Sequence, residues 1–143
     1  AAVEAVATEP HTVGRDDGAA VDQGAVVLLV AEAAAPLAGA AGIGAQRELL
    51  DDVKAWIDYK TYPRDEIAVR LHHRLVHIHP FPNGNGRHSR LMADLLIMQL
   101  GGQRFTWGSA NLQDAGEVRK RYLESLKAAD NHDLGPMLAF ARS

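Results

Sequence analysis

His79-Pro80-Phe81-Pro82-Asn83-Gly84-Asn85-Gly86-Arg87-His88-Ser89-Arg90 decides the fold, because this stretch ends one helix and opens the next. Ahead of it, Ile67, Leu71, Leu75 and Ile78 recur at the helical period. That helix opens near Pro63, which suits a first turn, with Asp65 and Glu66 favourable at its positive end. It stops near His79, since the residue before a proline is pushed out of the α region. Beyond the glycines a helix is expected over about residues 87–100, closed by Gly101 and Gly102. Its Leu91, Met92, Leu95, Leu96, Ile97 and Met98 fall on nearly all sides, so it is expected to be the central, most buried helix.

Further out the pattern stays helical. Leu49, Leu50, Val53, Trp56 and Ile57 form one stripe of a helix over residues 46–60. Residues 104–107 are short, aromatic and β-branched, an extended link. Asp114 and Glu117 form an Asp-x-x-Glu pattern that opens a helix to about Ala129. A last short helix is expected over residues 136–142, with Met137, Leu138 and Phe140. The fold class is all-α, a helical domain centred on a helix-loop-helix.

Composition divides the 143 residues in two. Residues 1–45 hold 15 Ala, 6 Gly, no aromatic residue and one base, Arg15, against six acids. Residues 46–143 hold all eight aromatic residues and a small excess of bases. We therefore expect a poorly ordered or replaced segment over 1–45 and a helical domain over 46–143. Residues 24–44 carry one charge, Glu32, over a length that could span a bilayer. Ala and Gly dominate that stretch, Pro36 interrupts it, and no basic cluster or positive start flanks it, so neither a membrane span nor a signal peptide is expected. Its strongest apolar run is 26–30, with Asp22 as a candidate N-cap. The absence of cysteine removes disulfides, Cys-zinc sites and thiol nucleophiles. A net charge of −3 argues against a nucleic-acid partner, and the expected compartment is the cytoplasm.

The decisive stretch also carries chemistry. The free N–H groups at a helix start, with the helix dipole behind them, form an anion site. Gly84 and Gly86 let the backbone approach a ligand closely. Arg87 and Arg90 are three apart and so share a helix face. Two guanidinium forks beside a helix N-terminus match a polyphosphate. Asp94, four residues on, is placed to orient Arg90. His79 stands at the rim, and imidazole is the side chain best matched to moving a proton at neutral pH. The pattern is not a Walker loop, since no Gly-Lys-Ser/Thr follows. His73 and His77 stand at i and i+4 and could share a zinc ion, but no Glu completes a His-Glu-x-x-His motif. His72 and His73 are expected at the edge of the core and His77 near the loop.

His-Pro-Phe-x-x-Gly-Asn-Gly-Arg-x-x-Arg resembles the signature of the Fic (Fido) family. The stretches Leu49-Leu50-Asp51-Asp52-Val53, Tyr62-Pro63, Arg104-Phe105-Thr106-Trp107-Gly108 and Leu138-Ala139-Phe140-Ala141-Arg142 look closer still to its bacterial mobile mystery protein B subfamily. The resemblance covers about residues 46–143. It implies transfer of AMP from ATP to a hydroxyl side chain of a target protein. It also implies that His79 is the base, that Gly84, Asn85 and Gly86 hold the phosphates, and that Arg87 grips the β/γ end with support from Arg90. Phe81 would anchor the loop.

Three departures bear on that expectation. The family usually places Asp or Glu where this chain has Asn83, and that acid holds Mg²⁺; an amide oxygen is a weaker ligand. The inhibitory Ser/Thr-x-x-x-Glu-Gly/Asn helix is not found, Thr12 with Asp16 and Asp17 being the nearest miss, so any inhibitor would be a separate, antitoxin-like protein, or none exists. The hairpin flap that clamps targets by strand addition is replaced by the Ala/Gly stretch. The alternative function is a degenerate Fic module that binds nucleotide or a partner without transfer.

Overall fold

A computed structural model describes residues 40–79, 81–110 and 114–143. Every regular element among them is a helix: α1 (Ala40–Asp58), α2 (Arg64–Ile78), α3 (Asn85–Gln99), α4 (Ala115–Asp130) and α5 (Gly135–Ala141). Asp22, the 26–30 run, the near-miss at Thr12 and the Ala/Gly stretch up to residue 39 lie outside the described residues, while the end of that stretch, residues 40–44, opens α1. None of the described helices is long and apolar enough to cross a membrane.

Local chemistry explains most of the boundaries. Pro63 precedes α2, and Asp65 and Glu66 lie in its first turn. Asp114 caps α4 by accepting from the Gly116 N–H at 3.0 Å. α5 carries Pro136 in its first turn. α1 begins at Ala40, ahead of the compositional change at Ala45, and ends two residues before the expected Lys60. α3 begins at Asn85 rather than near Arg87, for a reason that lies in the loop itself.

The core joins Leu49 and Val53 of α1, Ile67, Val69, Leu71 and Leu75 of α2, Met92, Leu96 and Ile97 of α3, and Met137 of α5. The expectation that α3 is the central helix is corrected. Leu91, Leu95 and Met98 are exposed at 47%, 37% and 45%. These three follow one another at i, i+4 and i+7, so α3 has an open apolar stripe rather than cover on all sides. α2 is the hub instead, packing against α1, α3 and α5.

Residues 102–108 cross the molecule without regular structure and are fastened to the chain's end. The N–H groups of Thr106 and Trp107 both donate to the Ala141 carbonyl, at 2.9 and 3.0 Å, and that of Gly108 donates to Ser143 at 2.9 Å. Arg142 makes a two-pronged bond to Asp65, at 2.8 and 2.6 Å, and also reaches the Gln103 carbonyl. This strap brings Trp107 and Gly108 alongside the α2–α3 loop. Gly108 has φ +81°, and a Cβ there would lie 2.9 Å from the Phe140 ring and 3.0 Å from Val118, so only glycine fits.

Candidate active site

The loop is shaped from within. His79 caps the C-terminus of α2 in the left-handed region, φ 55° and ψ 60°, with its N–H on the Leu75 carbonyl at 3.1 Å. A non-glycine residue there carries strain of order 1 kcal/mol, a feature common at functional positions. Asn85 then clasps Phe81 twice. Its Oδ1 accepts from the Phe81 N–H at 2.9 Å and its Nδ2 donates to the Phe81 carbonyl at 2.7 Å. The Phe81 ring meets His88 edge-on at 4.7 Å. Asn85 is buried, so its amide serves the loop, and what it can offer a ligand is its backbone N–H. Gly84 is the N-cap, at φ 75°, and no side chain caps α3. The N–H groups of its first turn are therefore open to a ligand. The clasp is also why α3 starts early: it turns Asn85 into a helical residue.

The loop opens on a cleft of about 1000 Å³. His79 lines it together with Asn83, the Gly84–Arg87 turn and Arg90. The remaining wall comes from Trp107 and Gly108 of the strap and from Val118, Arg119, Tyr122 and Leu123 of α4. Among the described residues no carboxylate pairs with Arg87, Arg90 or Arg119. A helix N-terminus and three arginines with no acidic partner among the described residues give this cleft the chemistry to accept an anion.

Asp94 does not orient Arg90, contrary to the expectation. It is buried and accepts from Trp107 Nε1 at 2.9 Å and Arg104 Nε at 3.0 Å. Its charge thus fixes the strap, while Arg90 stands over the Tyr122 ring at 5.0 Å. The histidines also divide. His72 is not at the core's edge but fully buried, 3.0 Å from the Tyr122 hydroxyl. Burial, helped by the positive charge of Arg90, pushes its pKa down to about 3. Burial lowers that of His88 as well. His73 meets Asp130 at 2.7 Å, and His77 is exposed in the last turn of α2. No three His, Asp or Glu side chains among the described residues are placed to hold a metal, so the zinc reading finds no support there.

This donor set also bears on magnesium. Asn83 is exposed at the cleft and offers one neutral oxygen. Such a site fits an ion carried in by phosphate oxygens and water, with Asn83 as one contact, and not an ion held by protein alone.

The sequence reading missed Arg119 and Tyr122. Their signal was present: Ala115, Val118, Arg119, Tyr122, Leu123 and Leu126 form one stripe of α4, and all line the cleft. A mixed stripe of apolar, cationic and phenolic residues reads as half core, half site only once the neighbouring loop is in place.

Residues 32–97 match the model of the Fic/DOC family. The chain is 32% identical over 95 residues to a protein adenylyltransferase Fic of Aedes aegypti, covering 64% of this chain and 18% of that protein. It is 37% identical over 73 residues to the protein of the same name from Drosophila melanogaster, covering 51% and 13%. In structure it resembles Fic-1 (residues 134–508) of C. elegans, with TM-score 0.50 and 31% identity, covering 67% of this chain and 28% of that one. The chain thus spans less than a fifth of these curated relatives.

Proposed function

We propose that this chain is a Fic/DOC family domain that moves AMP from ATP to a hydroxyl side chain of a target protein, a reading supported by the family match and the relatives. One observation carries the reading: His79 and the uncapped start of α3, with Arg87 and Arg90, line the same cleft. The adenylyltransferase names of the relatives supply the choice of AMP.

In the proposed reaction the target's hydroxyl oxygen attacks the α-phosphorus as its proton passes to a nitrogen of His79. The bond from that phosphorus to the bridging oxygen breaks, and pyrophosphate leaves with the electron pair. The N–H groups of the first α3 turn and the two guanidinium groups stabilise the negative charge that gathers on the leaving phosphates. Mg²⁺, when bound through the phosphates with Asn83 as its protein contact, would supply further positive charge. The quoted flanking stretches support a place in the mobile mystery protein B subfamily of bacteria.

A second reading, nucleotide or partner binding without transfer, is favoured by the neutral Asn83. Labelled ATP separates the two. With a candidate target, transfer by the wild type and its loss in His79→Ala supports the enzyme. Nucleotide binding by both proteins with transfer by neither supports the binder.

A further inference from the structure

Beneath the anion site lies a histidine that the proposed chemistry does not use. His72 is completely buried in α2, its ring 4.8 Å from that of Trp107 and its Nε2 3.0 Å from the Tyr122 hydroxyl. Its Nδ1 is buried with no partner among the described residues. The Arg90 guanidinium stands over the Tyr122 ring, 5.0 Å from its centre. Ser89 Oγ donates to the Gly86 carbonyl at 3.0 Å. A Cβ on Gly86 would lie 3.4 Å from the Tyr122 oxygen and 3.5 Å from Arg90 Nη1. The phenol therefore packs directly against the first turn of α3.

Counting hydrogens gives the His72–Tyr122 bond a direction. A neutral imidazole has one N–H. On Nδ1 it would be an orphaned buried donor, the rarer and costlier arrangement. On Nε2 it leaves only a bare lone pair, so Nε2–H donates to the Tyr122 oxygen. The phenol is thus held at its oxygen by His72, while its ring lies under Arg90 and its tip lies against Gly86.

We propose that His72 is a positioning residue: through Tyr122 it fixes Gly86 and Arg90, and with them the geometry of the anion site. The proposal rests on the nucleotide reading above. Burial keeps the imidazole neutral, so its bond to Tyr122 persists across ordinary pH.

Two measurements on the full chain test it. The first reads the His72 tautomer from ¹⁵N–¹H correlation spectra between about pH 5.5 and 8, a span over which an imidazole with a depressed pKa stays neutral. Hydrogen on Nε2 is expected, and hydrogen on Nδ1 overturns the proposal. The second compares Tyr122→Phe, His72→Gln and His72→Leu by ATP affinity and by amide exchange at Arg90, whose N–H bonds the Gly86 carbonyl within the helix. Tyr122→Phe should weaken ATP binding about two- to tenfold and speed that exchange by a similar factor, the worth of one net hydrogen bond. His72→Gln, which keeps an N–H near the Nε2 position, should recover most of both losses seen in His72→Leu. A merely structural histidine predicts lower thermal stability with unchanged ATP affinity and exchange in Tyr122→Phe, and that result refutes the role. If His72→Leu does not fold, Tyr122→Phe and His72→Gln decide. If the wild type binds no ATP, the nucleotide reading fails, and tautomer and exchange still decide the positioning.

Discussion

Acid should destabilise this domain through His72. Its folded pKa is pushed down to about 3 by burial and by the nearby charge of Arg90, while an unfolded histidine titrates near 6.5. Between those values the unfolded chain binds a proton that the folded one refuses, so stability falls as pH falls. The contribution is complete above about pH 6.5 and is lost progressively toward pH 3. From pH 7 to pH 5 the loss is about 2 kcal/mol, the free energy of protonating the unfolded imidazole over that interval. For a domain of this size that corresponds to a fall in Tm of roughly 6–12 °C. His88, also lowered by burial, acts in the same direction, so His72→Gln should remove only part of the slope. The assay is thermal unfolding of wild type and His72→Gln at half-unit steps from pH 8 to pH 5. Parallel pH dependences in the two proteins would show that His72 is not held neutral, and the burial argument would fall with them.

Three further outcomes follow from the same geometry. Arg87→Ala should weaken ATP binding by about 1.5–3 kcal/mol, the range for bonds to charged groups, and Arg87→Lys should restore only part, because ammonium lacks the planar fork; equal affinities by calorimetry contradict the phosphate role. Asn83→Asp should lower the Mg²⁺ concentration needed for transfer, since a carboxylate brings a full charge where the amide brings a dipole; superimposable Mg²⁺ titrations would remove Asn83 from the metal. Gly108→Ala should cost about 2–4 kcal/mol, combining a left-handed backbone with overpacking against Phe140 and Val118, and a chemical denaturation midpoint equal to wild type would show that the strap moves aside.

The helix-loop-helix was legible because its signals are local. An apolar period stops at Ile78, proline and glycine punctuate the loop, and a second apolar period follows. What failed to show was set by partners distant in sequence. Six apolar residues in α3 suggested burial all round, yet Leu91, Leu95 and Met98 face outward because no described helix covers that side. Asp94 sits at the right spacing for Arg90, but the strap presents it with an indole N–H and a guanidinium first. His72 read as a core-edge residue, since nothing in the letters reveals a tyrosine fifty positions away at hydrogen-bond distance. The early start of α3 depends on a side chain bonding backward to Phe81, a choice that Asn makes only in this loop conformation.

The cleft is therefore built by two means, local bonds within the loop and long-range contacts in the wall. On the loop side, His79 lies two residues before Phe81, which Asn85 ties by both its backbone groups to the first turn of α3. His79 and the open start of α3 thus keep their spacing through bonds that span four residues, while Tyr122 supports that start from the other side. On the opposite side, Trp107, Gly108 and Tyr122 are placed by contacts that span the chain: Asp94 on the indole, the Ala141 and Ser143 carbonyls on the strap, and His72 under the phenol. In the proposed reaction the loop would face the phosphates, and the wall would bound whatever they carry. Changes in the loop should then alter chemistry with little effect on stability. Changes in the wall should alter stability and affinity together, because the contacts that shape it are also contacts that close the core.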